Sequence, residues 1–343
     1  MKATDSDTGI GRGAPARLAV QADGVAGARE TGAAAPALAR RVPRVPPPRR
    51  AWISRRAGRT VIPWLFLAPA LVFFAVFRFW PTVWGVYLSL YKVRPYLGNQ
   101  WVGFGNFTRA FHDPDLRSAA EHSLIDAAAS VAGSIVIGFC LALLLEGPAR
   151  HLRVLRTAVF VPVVVSMVAV AELWNSLLFP GKYGAINSLL GDIGLGPAPF
   201  LSSPHSALAT VIGVQVWKSA PYDMLIFVAG LAGIDQTLYE AAAIDGAGAF
   251  HRLKYVTLPA LRPITTIVLT LGIIRGLRVF TEIYVLTNGG PAGSTQTLVP
   301  FDYAQATTNN DVGYASAISV LLLTTTILLT LLVWRWRARK DDA

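Results

Sequence analysis

Charge is scarce in this chain. Of its 343 residues only 15% are Asp, Glu, Lys or Arg, while 53% are hydrophobic; an ordinary soluble domain is roughly 25% charged. A sequence so poor in charge, with a mean hydropathy of +0.47, has too little polar surface to cover a water-soluble globule. Lipid is the natural solvent for the excess. There is one cysteine, Cys140, which excludes an intrachain disulfide and a Cys/His zinc cluster. His112, His122, His151, His205 and His251 are scattered, with no two at ligand spacing beside a third group, so no metal site is expected. No G-x-x-x-x-G-K-[ST] loop is present; Gly181-Lys182 is followed by Tyr183. No G-x-S-x-G, H-E-x-x-H or paired-carboxylate arrangement supports catalysis. The expectation is a chain that is not an enzyme and has no catalytic residues.

Residues 1–60 are rich in Ala, Gly, Arg and Pro, nearly free of aromatics and without periodicity. They cannot bury enough apolar surface to offset their ordering entropy, and read as a disordered basic cytoplasmic tail. No apolar stretch near Met1 suits a secretory signal peptide. From Val61 the character changes. Six stretches are long and apolar enough to cross a bilayer, at about 62–88, 120–146, 157–179, 207–231, 264–286 and 313–334. The expected organisation is a tail (1–60), a first transmembrane helix with an outer segment (61–114), a five-helix core (115–334) and a short C-terminal tail (335–343).

Lys and Arg placement sets the orientation. With both termini inside, the inner segments hold 22 basic residues and the outer loops five. That bias accounts for most of the formal charge of +11, so nucleic acid is not an expected partner. Trp80, Trp84, Trp334 and Trp336 sit near span ends, where amphipathic rings favour the interface.

The inner loop between the fourth and fifth spans, Gly233 to Pro263, is not apolar enough to insert. Thr237 followed by Glu240 has the spacing of a capping box. Asp245-Gly246 signals a turn. Phe250, Leu253 and Val256 follow at helical spacing, and Pro259 is expected to end that helix. The pattern predicts two short helices joined by a tight bend. An amphipathic segment lying flat on the membrane accounts for the spacing equally well.

Glu240-Ala241-Ala242, Asp245-Gly246-Ala247, Phe250 and Leu258-Pro259 resemble, at the same spacing, the EAA loop of permease subunits in binding-protein-dependent ABC importers. The likeness extends over about residues 63–335: PWLFLAPALVFFAVFRFWPTVWGVYLSL, WVGFGNF, LLFPGKYGAINSLL, VWKSAPYDMLIFVAGLAGI, EIYVLTNGGP and DVGYASAISVLLL resemble the maltose- and glycerol-phosphate-type sugar permeases, the first of the two subunits more than the second. The resemblance implies an all-α polytopic fold, with six transmembrane helices and a type I, MetI-like importer core. It implies a bacterial cell-membrane protein that translocates a carbohydrate, with a second permease, a dimer of ABC ATPase subunits and an extracytoplasmic solute-binding protein as partners. ATP and Mg²⁺ would be held by the ATPase, into which the loop would dock. Glu240 would make a charged contact there, Asp245 and Gly246 would shape the bend, and Ala241, Ala242 and Ala247 would allow close approach. An ATP-independent transporter or channel, or a permease for a non-sugar solute, are the alternatives.

Arg275, Arg278 and Glu282 fall at i, i+3 and i+7, on one face of a continuous helix. Each would cost roughly 2.5–3.5 kcal/mol against lipid, so they should face protein or the water-filled path, with Arg278 and Glu282 paired. With Trp217 and Tyr222 beside Pro221, and Asn288-Gly289-Gly290 ahead of Pro291, they are the candidates for the translocation path or a subunit interface.

Overall fold

The computed structural model describes residues 54–94 and 98–341. The expected tail therefore lies, up to residue 53, outside the described residues. The described residues are mostly helical. Helix α1 (Ser54–Phe74) continues through a π-helical turn (Ala75–Phe79) into α2 (Trp80–Leu88). A two-stranded antiparallel ribbon, β1 (Tyr91–Lys92) with β2 (Gln100–Trp101), leads to α3 (Gly105–His112).

The second span begins earlier than its apolar run suggests. Helix α4 covers Pro114–Leu145, because Asp113-Pro114 is a helix start in itself. The Asp113 carboxylate accepts from the N–H of Asp115 (2.9 Å) and of Leu116 (3.3 Å), and proline at the first helical position lacks only an N–H that would be unpaired anyway. The Tyr314 hydroxyl donates to the same carboxylate at 2.6 Å, and Arg109 lies 3.9 Å from the Tyr314 ring while pairing with Asp311. Burial pushes Asp113 up, but the Tyr314 hydroxyl and the two N–H groups outweigh it and hold the carboxyl below the usual range. Its contribution is therefore present above the unfolded carboxylate pKa and is lost as pH falls through the lowered folded value. Asp113→Ala is expected to remove about 2 kcal/mol, from a lost cap and an unpaired tyrosine hydroxyl, readable as a lower unfolding temperature of the detergent-solubilised protein.

The third span is not one helix. Helices α5 (Arg150–Val164) and α6 (Met167–Leu177) meet at 95°. Pro162 removes a hydrogen bond near the end of α5, and the Ser166 hydroxyl caps α6 by accepting from Ala169 N–H at 3.3 Å. A short helix α7 (Ala185–Asp192) follows, then α8 (Ala207–Ala232), unbroken through Pro221. The inner loop holds α9 (Gln236–Ile244), α10 (Ala249–Arg252), a π-turn (Leu253–Thr257) and α11 (Leu258–Ala260). The expected fifth span is divided into α12 (Arg262–Leu277) and α13 (Thr281–Leu286), and α14 (Leu298–Thr307) and α15 (Val312–Asp341) complete the chain.

Among the described residues, three helices, Pro63–Leu88, Pro114–Leu145 and Val312–Arg335, are long and apolar enough to cross a membrane, or up to five if each of two bent pairs is one span. Helix α8 is outside that count because Gln215, Lys218 and Asp223 dilute it; at 26 residues its length is still about 39 Å.

Helices α4, α8 and α12 pack through small residues. A Cβ on Gly138 would stand 2.9 Å from Ala220 O, and one on Gly276 would stand 2.9 Å from Ala127 Cα, so only glycine permits these approaches. Two apolar clusters flank the contact. Ala142, Met224, Phe227, Leu261 and Val268 fill the half nearer the inner loop. Val170, Val211, Val214, Ile283 and Leu286 fill the other.

Candidate functional site

Two features carry chemistry: the bent inner loop and a charged cleft between the packed helices. In the loop, α9 starts at Asp235, whose carboxylate accepts from Thr237 N–H at 2.9 Å; that bond holds the Asp235 carboxyl below its ordinary pKa. The expected Thr237–Glu240 capping box does not form, since Thr237 is already inside the helix. The more N-terminal Asp235 takes the cap position and leaves Glu240 exposed.

The bend is closed by backbone alone. Ala247 N–H donates to Ala242 O (2.9 Å) and Gly246 N–H to Ala243 O (3.1 Å), the paired bonds of a Schellman motif, with Gly246 at φ +74°. Open space surrounds the position a Gly246 Cβ would take, so glycine is favoured by the dihedral and not by crowding. Ile244 (87% exposed) and Phe250 (72% exposed) flank the bend, and Leu258 is also exposed. Ala241 and Asp245 are exposed, while Ala242, Ala247 and Pro259 are half-buried. The Tyr239 hydroxyl meets Thr257 Oγ1 at 2.9 Å and ties the two arms together.

Pro259 does not end the second arm. Leu258 N–H donates to Leu253 O, five residues back, and this widened turn accommodates the proline ring in the first turn of α11. The same device stands before Pro81, where Trp80 N–H donates to Ala75 O. The arm ends at Leu261, where the chain bends by 65° into α12.

The cleft, of ≈ 40 Å³, is lined by Ser130, Ser134, Gln215, Ser219, Arg275 and Glu282, among others. Such a space holds about one water. Arg275 Nη2 donates to both Asp223 oxygens at 3.0 Å; Asp223 is fully buried and the Arg275 side chain is 36% exposed. The guanidinium carbon lies 5.6 Å from the Tyr222 ring, within cation–π range. Lys218 Nζ donates to Pro162 O (2.8 Å) and Val165 O (2.7 Å), placing a cation on carbonyls left over at the end of α5. Trp217 packs edge-on against Trp174, with centroids 5.5 Å apart. Gln215 Nε2 donates to Asp126 Oδ1 at 3.0 Å, while Asp126 Oδ2 is buried without a partner among the described residues.

The expected Arg278–Glu282 pair is not among the described ion pairs. The residues span the break between α12 and α13, so the helical phase that would bring them together is lost; Arg278 is exposed, and the pairing runs instead from Arg275 to Asp223. Asn288 and Gly289 adopt positive φ (48° and 81°) in a turn held by Thr287, Thr295 and Gly290, and Ser123 of α4 accepts from Leu298 N–H just beyond it. Tyr222 joins Arg275 on the α8–α12 side, Trp217 packs against α6 instead, and Asn288, Gly289 and Gly290 belong to this separate turn. Spacing along the sequence does not single out Asp126 or its link to Gln215. The available signal was a single carboxylate inside an apolar span.

A family model described as "Binding-protein-dependent transport system inner membrane component" matches residues 131–339. The chain belongs to this family. Among curated relatives, the trehalose/maltose transport system permease protein MalF of Thermococcus litoralis is 34% identical over 282 residues, covering 81% of this chain and 94% of its own length. The probable ABC transporter permease protein YurN of Bacillus subtilis is 33% identical, covering 79% and 94%. Among solved structures, a chain of a bacterial ABC transporter involved in import of the acidic polysaccharide alginate superposes with a TM-score of 0.74 at 24% identity, covering 83% and 98%. The architecture described above is thus that of an importer permease, and the transporter-subunit expectation stands. The family description also makes the chain a membrane component.

Proposed function

We propose that this permease translocates a carbohydrate, that a separate ATPase dimer drives it, and that ATP and Mg²⁺ act on that dimer. A second permease completes the path and an external solute-binding protein delivers the solute. The observation that carries the reading is the Schellman-closed bend, exposed with Ile244 and Phe250 beside it, at the junction of the two helices that line the charged cleft. Glu240, Asp245 and the alanines around them form the surface offered to the ATPase, on the face where Lys and Arg concentrate. Both chain termini lie on that cytoplasmic side. A force applied at the bend reaches α8 through Gly233 and α12 through Leu261, the pattern of a rigid-body transition.

Kinship with a trehalose/maltose permease supports the solute class. So does the half-exposed ring of Tyr222 near the fixed Arg275 guanidinium, which offers an apolar stacking face and a donor, the complement of a sugar ring. The complex in sealed vesicles is expected to take up trehalose or maltose presented by its binding protein when ATP is present on the loop side. Uptake that persists without any ATPase subunit would replace this reading with an ATP-independent carrier. ATP-driven uptake of a non-sugar solute alone would keep the coupling and discard the carbohydrate.

A further inference from the structure

Asp126 sits inside α4 with no exposed surface, and its two oxygens are used unequally. Oδ1 accepts from Gln215 Nε2 of α8 at 3.0 Å. Oδ2 is buried with no partner among the described residues. A buried polar atom left unpaired costs stability, and an apolar side chain of similar shape would avoid that cost. A carboxyl kept in such a place calls for a role that an apolar residue could not fill.

Gln215 links Asp126 to the charged cleft. Its side chain is 6% exposed, and it lines the ≈ 40 Å³ space together with Ser219, Arg275 and Glu282. A primary amide has a donor end and an acceptor end, and a half-turn about its last bond exchanges them. With Asp126 Oδ1 as an acceptor on one side, the donor end faces Asp126, and Oε1 points the other way. Oε1 has no partner among the described residues, yet unlike Asp126 Oδ2 it is not sealed from solvent; it opens on the cleft. Several neighbouring polar groups are already engaged. Ser130 and Ser134 donate to Ala127 O and Val131 O of their own helix, and Arg275 donates to Asp223.

We propose that Asp126 is a positioning residue for transport: it holds Gln215 so that Oε1 is presented to the cleft as a fixed acceptor for a solute hydroxyl. The assignment rests on the carbohydrate reading above and adds a second polarity to it. Arg275, from the α12 side, offers N–H donors. Gln215, from the α8 side, offers an acceptor, and a sugar hydroxyl uses both. The cleft as it stands admits about one water, so Oε1 meets a solute hydroxyl when the rigid-body transition parts these helices. Because the amide is already turned, it loses no rotamer freedom when the solute arrives.

A double-mutant cycle on ATP-driven uptake of trehalose or maltose, by the complex with all its partner subunits in sealed vesicles, tests this. Asp126→Leu removes the acceptor for Gln215 Nε2 and lets the amide turn. Uptake is expected to fall about tenfold, the worth of one correctly aimed hydrogen bond. The unfolding temperature of the solubilised complex is expected to stay level or rise, because the unpaired oxygen is gone. Asp126→Asn still offers a carbonyl oxygen to Nε2 and is expected to keep most of the uptake. In a Gln215→Ala background, Asp126→Leu is expected to lower uptake no further. An undiminished rate in Asp126→Leu would overturn the proposal. So would an equal loss in the Gln215→Ala background, or a lower unfolding temperature alongside the lost uptake, since Asp126 would then serve packing alone. Asp126→Ala makes the same comparison should leucine impair assembly, and failure of both to assemble would overturn it as well. No ATP-driven uptake by the unsubstituted complex would count against the carbohydrate reading itself, before any variant is compared, and would remove this assignment with it.

Discussion

Arg275→Leu is expected to remove about 3 kcal/mol of stability, enough to lower sharply the yield of assembled complex. Asp223 is fully buried among α4, α8 and α12, and the Arg275 guanidinium is its only ion-pair partner among the described residues. Breaking a buried pair from one side typically costs about 3–5 kcal/mol, because the remaining charge is left uncompensated. The lower end applies because the Arg275 side chain is partly exposed. Removing the charge from both sides tests this. Asp223→Asn combined with Arg275→Gln is expected to regain most of the stability, measured as thermal unfolding of the detergent-solubilised complex. If the guanidinium also contacts solute, transport in the double variant stays low although the protein folds. Equal stability of Arg275→Leu and the unsubstituted protein would show that the pair holds nothing together.

Gly246→Val is expected to reduce ATP-driven uptake to background while membrane insertion stays normal. At φ +74° a left-handed residue costs roughly 1–2 kcal/mol for an ordinary side chain, and a β-branched one is worse still. No neighbour would clash with the new side chain, so the effect is confined to the backbone of the bend. The penalty either opens the Schellman bonds from Ala247 and Gly246 or tilts α10 away from α9; both displace Ile244 relative to Phe250, which the ATPase is proposed to meet together. Gly246→Asn, which tolerates that dihedral, should retain substantial uptake. Full activity in the valine variant would separate this bend from coupling.

What the sequence made legible follows from which forces are local. Apolar runs placed the spans, because removal from water is a property of each segment. The Asp245-Gly246 bend was legible because only a residue without a Cβ tolerates its dihedral easily. The 95° break in the third span was not, although Pro162 and Ser166 mark it in hindsight: the apolar run continues straight through both. The partner of Asp223 was hidden for a different reason. It lies 52 residues away on another helix, and spacing arguments reach only along one helix. Arg278 and Glu282 have the spacing of a pair on a continuous helix, and the interruption at 278–280 removes that phase. Pro259 conflicts with four-residue hydrogen bonding, which is the signal of a helix end, and the chain avoids the conflict by bonding five residues back.

Helix α8 joins three things in one piece. At one end it runs into the bent loop, near its middle Asp223 is clamped to α12, and Lys218 grips two carbonyls at the corner of α5 and α6. A rod pinned at several places cannot slide past only one neighbour. Any displacement delivered at Gly233 must carry the α5–α6 corner and the α12 arginine with it, so the smallest moving part of this permease is the whole pinned assembly and not a single helix.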